Sequence, residues 1–180
     1  LTVGAADLNL SGVLAACTAG TPAQCQTAIA SAVGLLSVSC KGTSESEELL
    51  NRLTDLYAEV ADAAPNALIV VTGYPFLFEL VEGDPDLALK TQINNATAAL
   101  NCTIQKAVAE AEAAGINIVY VDVTKAFADH GIGGSGVPFI NPPGTGINAF
   151  HPTAEGYVAY AAAISAVLPR SLGANLEQVA

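Results

Sequence analysis

Residues 67–73 read Ala-Leu-Ile-Val-Val-Thr-Gly, an unbroken β-rich run. A strand with one wet face alternates apolar and polar residues. A continuous run marks a strand covered on both faces, as in a parallel sheet. Residues 116–122 form a second such run, and Leu1-Thr2-Val3, ending at Gly4, reads as a third, short strand. Parallel neighbours need crossovers, usually helical, and the intervening sequence supplies helical patterns. Residues 22–36 open on Pro22, suited to a first helical turn. Residues 45–63 carry Leu49, Leu53, Leu56 and Val60 on one stripe, reinforced by Leu50, Tyr57 and Ala61; Ser44 or Ser46 caps them and Pro65-Asn66 stops them. Residues 87–114 bury Leu89, Ile93, Leu100, Ile104 and Val108 and end at Gly115, a natural C-cap. Residues 153–168 form the last helix, with Tyr157, Ala161, Ile164 and Leu168 turned inward. Residues 130–146, rich in Gly and Pro, read as a surface loop. The expectation is one domain over residues 1–180, α/β in class: a three-layer α/β/α arrangement on a parallel sheet. Three strands are few for it. Residues 1–3 then lie at a sheet edge, or beside strands this chain does not contain.

Composition narrows the function. Six Lys+Arg against seventeen Asp+Glu give a net charge of -11, which repels phosphate backbones and anionic lipids and excludes nucleic-acid binding. No apolar run reaches the roughly 18–20 residues that span a bilayer. The chain has no Met, so it is expected to be processed, truncated or read from an internal point. The cysteines Cys17, Cys25, Cys40 and Cys102 form no C-x-x-C pair and have no His cluster near them, which argues against zinc. Cys17 and Cys25 flank a turn-rich segment that a disulfide could close; four buried free thiols are the alternative. An even cysteine count with few lysines fits an oxidising, extracellular setting. Asn95-Ala96-Thr97 and Asn101-Cys102-Thr103 match the glycosylation sequon, but both fall within a predicted helix.

The residues with chemistry to offer sit where strands end or a helix begins, the rim at which open α/β sheets bind ligands. These are Gly4-Ala5-Ala6-Asp7, Gly73-Tyr74-Pro75, Asp122-Val123 and Asn148-Ala149-Phe150-His151-Pro152. His151 lies where a Gly/Pro-rich loop turns into a helix, a place that presents a general base. His130, beside Asp129, reads as solvated. Ser135, in Gly133-Gly134-Ser135-Gly136, lacks the strand-turn-helix setting that presents a nucleophilic serine, and Ser11 and Ser39 have less support still. Glu45, Glu47 and Glu48 form a helix first turn, not an acid/base pair. Asp7 reads as the cap of the turn after the first strand, and Asp122 as the cap of a later one.

In order and spacing these pieces resemble the SGNH (GDSL-type) hydrolases, especially the secreted lipases and esterases of actinobacteria. The resemblance runs from Leu1 to about Leu168. Leu1-Thr2-Val3-Gly4-Ala5-Ala6-Asp7 is similar to the strand and G-x-N-D block of that family, which places Gly4, Ala6 and Asp7 in the substrate and oxyanion region. Cys17 through Cys25 is similar to its disulfide-closed loop. Tyr74-Pro75 is similar to the exit of its next strand, and Phe150-His151-Pro152 with Gly156-Tyr157 to its final histidine block. The resemblance implies a serine ester hydrolase with His151 as general base, Asn148 as candidate orienter, no metal or organic cofactor, and an ester or lipid substrate. The departures are as definite. The G-D-S block with the nucleophile is absent, together with the first two strands. Ala6 stands where the family has its oxyanion asparagine, and Asn148 where it usually has an aspartate. In triads, exchanging that acid for an amide costs large factors in rate. Two readings follow. In one, the serine comes from a segment outside this chain, either an N-terminal fragment or another polypeptide. In the other, the chain is an inactive SGNH-like binding or structural protein that pairs through its exposed first strand, as a homo-oligomer for example. A flavodoxin-like nucleotide binder shares the layers but needs a Gly-rich phosphate loop that the sequence does not have.

Overall fold

The computed structural model describes residues 1–34 and 48–168. In chain order its elements are α1 (Leu10–Ala19), α2 (Pro22–Gly34), α3 (Glu48–Ala63), β1 (Ile69–Thr72), α4 (Leu87–Ala113), β2 (Ile118–Val121) and α5 (Ala154–Val167), with 3-10 turns at Lys125–Phe127 and Gly146–Asn148. β1 and β2 pair in parallel, Ile69 opposite Ile118 and Thr72 opposite Val121.

The two expected core strands are in place. Residues 1–3 are not a third. Leu1 N donates to Val70 O (2.5 Å) and Leu1 O accepts from Thr72 N (2.8 Å), the parallel pattern, on the edge of β1 away from β2. The pairing covers this one residue. Thr2 spends its hydroxyl on Thr72 Oγ1 (2.5 Å), and Gly4 leaves the extended region at φ 112°. A side chain at Gly4 would be strained there, and its Cβ would press on Leu100.

The sheet has an apolar layer on each face. Ile69, Val71 and Ile118 join α3 and α4 through Leu49, Leu53, Tyr57, Ile104 and Ala107. Val70 and Val121 face the other way, onto Phe127, Ile140 and the α5 residues Tyr160 and Ala163. This is the expected α/β/α layering. α4 ends as predicted at Gly115 (φ 92°): Gly115 N–H donates to Glu112 O and Ile116 N–H to Ala111 O, the two bonds of a Schellman cap.

The segment before Cys17, which carries no clear apolar stripe, is helical. Two local expectations change. α5 turns Ala159, Tyr160 and Ala163 inward, not Tyr157 or Ala161. Gly156 sets that rotation, since its bare Cα packs on Phe139 O where a Cβ would clash. Asp7 does not cap a turn: its carboxylate pairs with Arg52 of α3 (3.2 Å), and the turn closes through Asn9 N–H to Ala6 O. Glu48 begins α3 and pairs with Arg52 (2.5 Å). The proposed caps Ser44 and Ser46, together with Glu45, Glu47, Ser39 and Cys40, lie outside the described residues.

Cys17 and Cys25 are bonded, eight residues apart, tying the end of α1 to the first turns of α2. Cys102 is also disulfide-bonded, and no cysteine among the described residues is free. Opening a loop of that length releases chain entropy worth about 2.5 kcal/mol. We therefore expect the Cys17→Ser/Cys25→Ser variant to lose about 2–3 kcal/mol in urea unfolding. An unchanged midpoint would mean that the helix pair holds without its staple.

Candidate active site

The loop before α5 is built around Asn141. Asn141 N–H donates to His151 O (2.9 Å), Phe150 N–H donates to Asn141 O (2.9 Å), and Asn141 Nδ2 donates to both His151 O (3.0 Å) and Pro152 O (3.2 Å). Thr153 then caps α5: its Oγ1 accepts from Gly156 N–H (3.2 Å) and donates to Pro138 O (3.0 Å). Between these anchors Phe150 sits at φ 63°, a left-handed conformation that is strained for an aromatic residue. Strain of this kind collects where neighbouring structure must hold a side chain in place. The side chain that follows is His151.

His151 Nδ1 lies 3.0 Å from Ala149 O. A carbonyl only accepts, so Nδ1 is the donor there, and Nε2 is the nitrogen that carries the lone pair in the neutral ring. Asn148 meets His151 through the main chain, where His151 N–H donates to Asn148 O (3.0 Å). The imidazole is exposed and borders a cleft of about 680 Å³. Ala5, Ala6 and Ser11 line it from the first turn and α1; Tyr74 and Leu77 from the loop after β1; Thr97 and Leu100 from α4; and Phe150, Tyr157 and Tyr160 from the last loop and α5. Its walls are largely apolar, the setting expected of a pocket for an apolar ligand. Ala6 and His151 thus share one cavity, with Gly4 and Asp7 framing the turn that carries Ala6. Ser135 and His130 belong elsewhere: His130 stacks on Phe139 (3.8 Å between ring centres) and bonds Val137 O through Nδ1 (2.8 Å).

The loop after β1 owes its position to residues that sequence reading passed over. Asn101 Oδ1 accepts from Tyr74 N–H (2.7 Å) and its Nδ2 donates to Tyr74 O (2.7 Å). Two turns earlier on α4, Asn94 treats Phe78 alike, at 3.3 and 2.8 Å. Both amides are buried and imitate a strand partner for the loop. The signal was two asparagines seven apart, set among the apolar stripe of α4. The Asn101 sequon is therefore spent on packing, and its Thr103 is fully buried.

Four tyrosines lie near one another. Burial pushes the Tyr57, Tyr74 and Tyr160 hydroxyls up, and Tyr120 up to about 12. Tyr57 Oη, fully buried, has no hydrogen-bond partner among the described residues, while Tyr74 Oη accepts from Ala5 N–H (3.3 Å). A phenol whose folded pKa exceeds its unfolded value near 10 stabilises the fold fully below pH 10, and loses that contribution as the unfolded chain ionises first. Stability should accordingly fall from about pH 10 towards 12. A flat urea midpoint over that window would contradict the burial of these hydroxyls.

Among the described residues no group of three or more His, Cys, Asp or Glu is placed to hold a metal ion, and no helix is long and apolar enough to cross a membrane.

Comparison with known proteins adds the frame. The chain superposes on phospholipase A1 from Streptomyces albidoflavus with a TM-score of 0.77 at 29% identity, covering 93% of this chain and 67% of the other. It superposes on an extracellular lipase from Streptomyces rimosus with a TM-score of 0.71 at 24% identity, covering 90% and 67%. The fold is that of the SGNH hydrolases. In sequence the chain resembles their secreted actinobacterial lipases and esterases: it is 28% identical over 163 residues to Lipase 1 of Streptomyces coelicolor. That match takes in 87% of this chain and 54% of the relative, so the chain spans about half the relative's length. No protein-family profile matches the chain.

Proposed function

We propose that this chain is the histidine-bearing part of a secreted serine ester hydrolase acting on lipid or other carboxylic esters. The carrying observation is His151, held by Ala149 O in the tautomer that leaves Nε2 basic, at the mouth of an apolar cleft. Nε2 takes the proton of a serine hydroxyl as its oxygen attacks the ester carbonyl, then returns that proton to the departing alkoxide. The acyl-serine left behind is hydrolysed by water activated in the same way. Ala149 O orients the ring and Asn148 O holds the main chain of His151, so an aspartate is not needed for the tautomer. Gly4, Ala6 and Asp7 border the place where the oxyanion develops. Ala6 offers no side-chain donor there, so stabilisation falls to backbone N–H groups. The serine comes from a segment beyond this chain, which matches only 54% of Lipase 1. No cofactor is required.

The rival reading, an SGNH-like binding protein that has lost its chemistry, draws on Ala6 and on Asn148, which carries no charge. A fluorophosphonate probe followed by intact-mass spectrometry of the native preparation separates the two. An adduct on a co-purifying polypeptide, abolished by His151→Ala, is the expected result. A single unlabelled polypeptide would favour the binding protein.

A further inference from the structure

The charge of this molecule is distributed unevenly. A chain with a net charge of -11 has no Asp, Glu, Lys or Arg anywhere in residues 130–154. Within that stretch the loop from Asn141 to His151 is fastened at its base by the four Asn141 bonds, and stiffened inside by Thr145 Oγ1–H to Pro142 O (2.8 Å) and Ala149 N–H to Gly146 O (3.1 Å). At its tip Ile147 is 91% exposed, the most exposed large apolar side chain among the described residues. Lone exposed apolar side chains are common on protein surfaces; this one is set apart by its braced loop and the uncharged stretch around it.

We propose that this loop is an interfacial anchor: Ile147 inserts into an electrically neutral lipid surface and sets the mouth of the cleft against it. Ile147 stands two residues before Ala149, whose carbonyl orients His151, so the anchored tip and the base move as one piece. Tyr157 lines the cleft and is 59% exposed. It adds an amphipathic aromatic ring of the kind that settles at headgroup depth. Charge selects the surface. The stretch has no cation for anionic headgroups, and the acidic remainder of the chain is repelled by them, which leaves zwitterionic lipid. A second copy fits less well, because one protruding side chain on a narrow Pro/Gly loop is far from the roughly 800 Å² per partner of a stable protein interface.

The anchor takes its purpose from the hydrolase reading, but its test needs no turnover. The chain is floated with phosphatidylcholine vesicles, beside Ile147→Asp and Ile147→Ser. The wild-type chain should float. The aspartate variant should bind about tenfold less or weaker still, since an inserted isoleucine is replaced by a charge. Both variants should melt as the wild type does, and phosphatidylglycerol vesicles should capture less protein than phosphatidylcholine. Wild type remaining in the soluble fraction would overturn the proposal, as would flotation unaffected by Ile147→Asp. Stronger capture by the anionic vesicles, or a wild-type dimer that the aspartate variant splits, would also overturn it. A chain that floats through Ile147 in a preparation without fluorophosphonate labelling loses the hydrolase reading and keeps the anchor.

Discussion

Replacing His151 with alanine is expected to lower kcat/KM for a soluble ester by about 10²–10⁴-fold, the range lost with a general base. The assay is made on the protein that carries the serine segment. The same variant should keep its melting temperature, because the imidazole is exposed and the loop is fastened through the backbone of His151, not through its ring. The combination matters. A loss of activity with a matching loss of stability would make the residue structural, and retained activity would remove His151 from the mechanism. Asn148→Ala should cost little beside it, since the bond that Asn148 gives His151 comes from its carbonyl. A drop as large as that of His151→Ala would show the amide side chain at work.

Asn101→Leu is expected to cost the fold about 3 kcal/mol. The leucine fills the space but leaves Tyr74 N–H and Tyr74 O without partners, each worth about 1–3 kcal/mol when it cannot reach water. For a chain of this length that corresponds to roughly 10 °C in a thermal melt. Asn101→Asp should fall between the two, because a carboxylate still accepts from Tyr74 N–H but repels Tyr74 O. A melt within about 1 kcal/mol of wild type would mean that the loop after β1 finds other partners.

What the sequence made legible follows from periodicity. The runs around Ile69 and Ile118 lack alternation and are strands buried on both faces. The stripe of Leu49 and Leu53, and that of Ile93, Leu100 and Ile104, mark two helices on one side of them. α1 was illegible because Val13, Leu14 and Ala16 leave no polar face to define a period. The inward face of α5 was misread for a related reason: a helix of alanines offers several equivalent stripes, and the choice among them falls to Gly156 against Phe139. Residues 1–3 have strand composition, but Gly4 and the Thr2–Thr72 contact limit the pairing to Leu1. At the site, His151 stood out from its loop-to-helix position, and the order of blocks pointed to the family. The carbonyl of Ala149 could not be read, since every residue has one and only the left-handed turn at Phe150 brings this one under the ring.

The paired asparagines of α4 also make that helix a ruler. Asn94 and Asn101 are seven residues apart, a rise of about 10 Å along a helix. The residues they grip, Tyr74 and Phe78, are four apart in the loop. One residue added or removed between them would force the chain to abandon one grip or to buckle between the two. Natural variation in length should therefore be absent from residues 74–78.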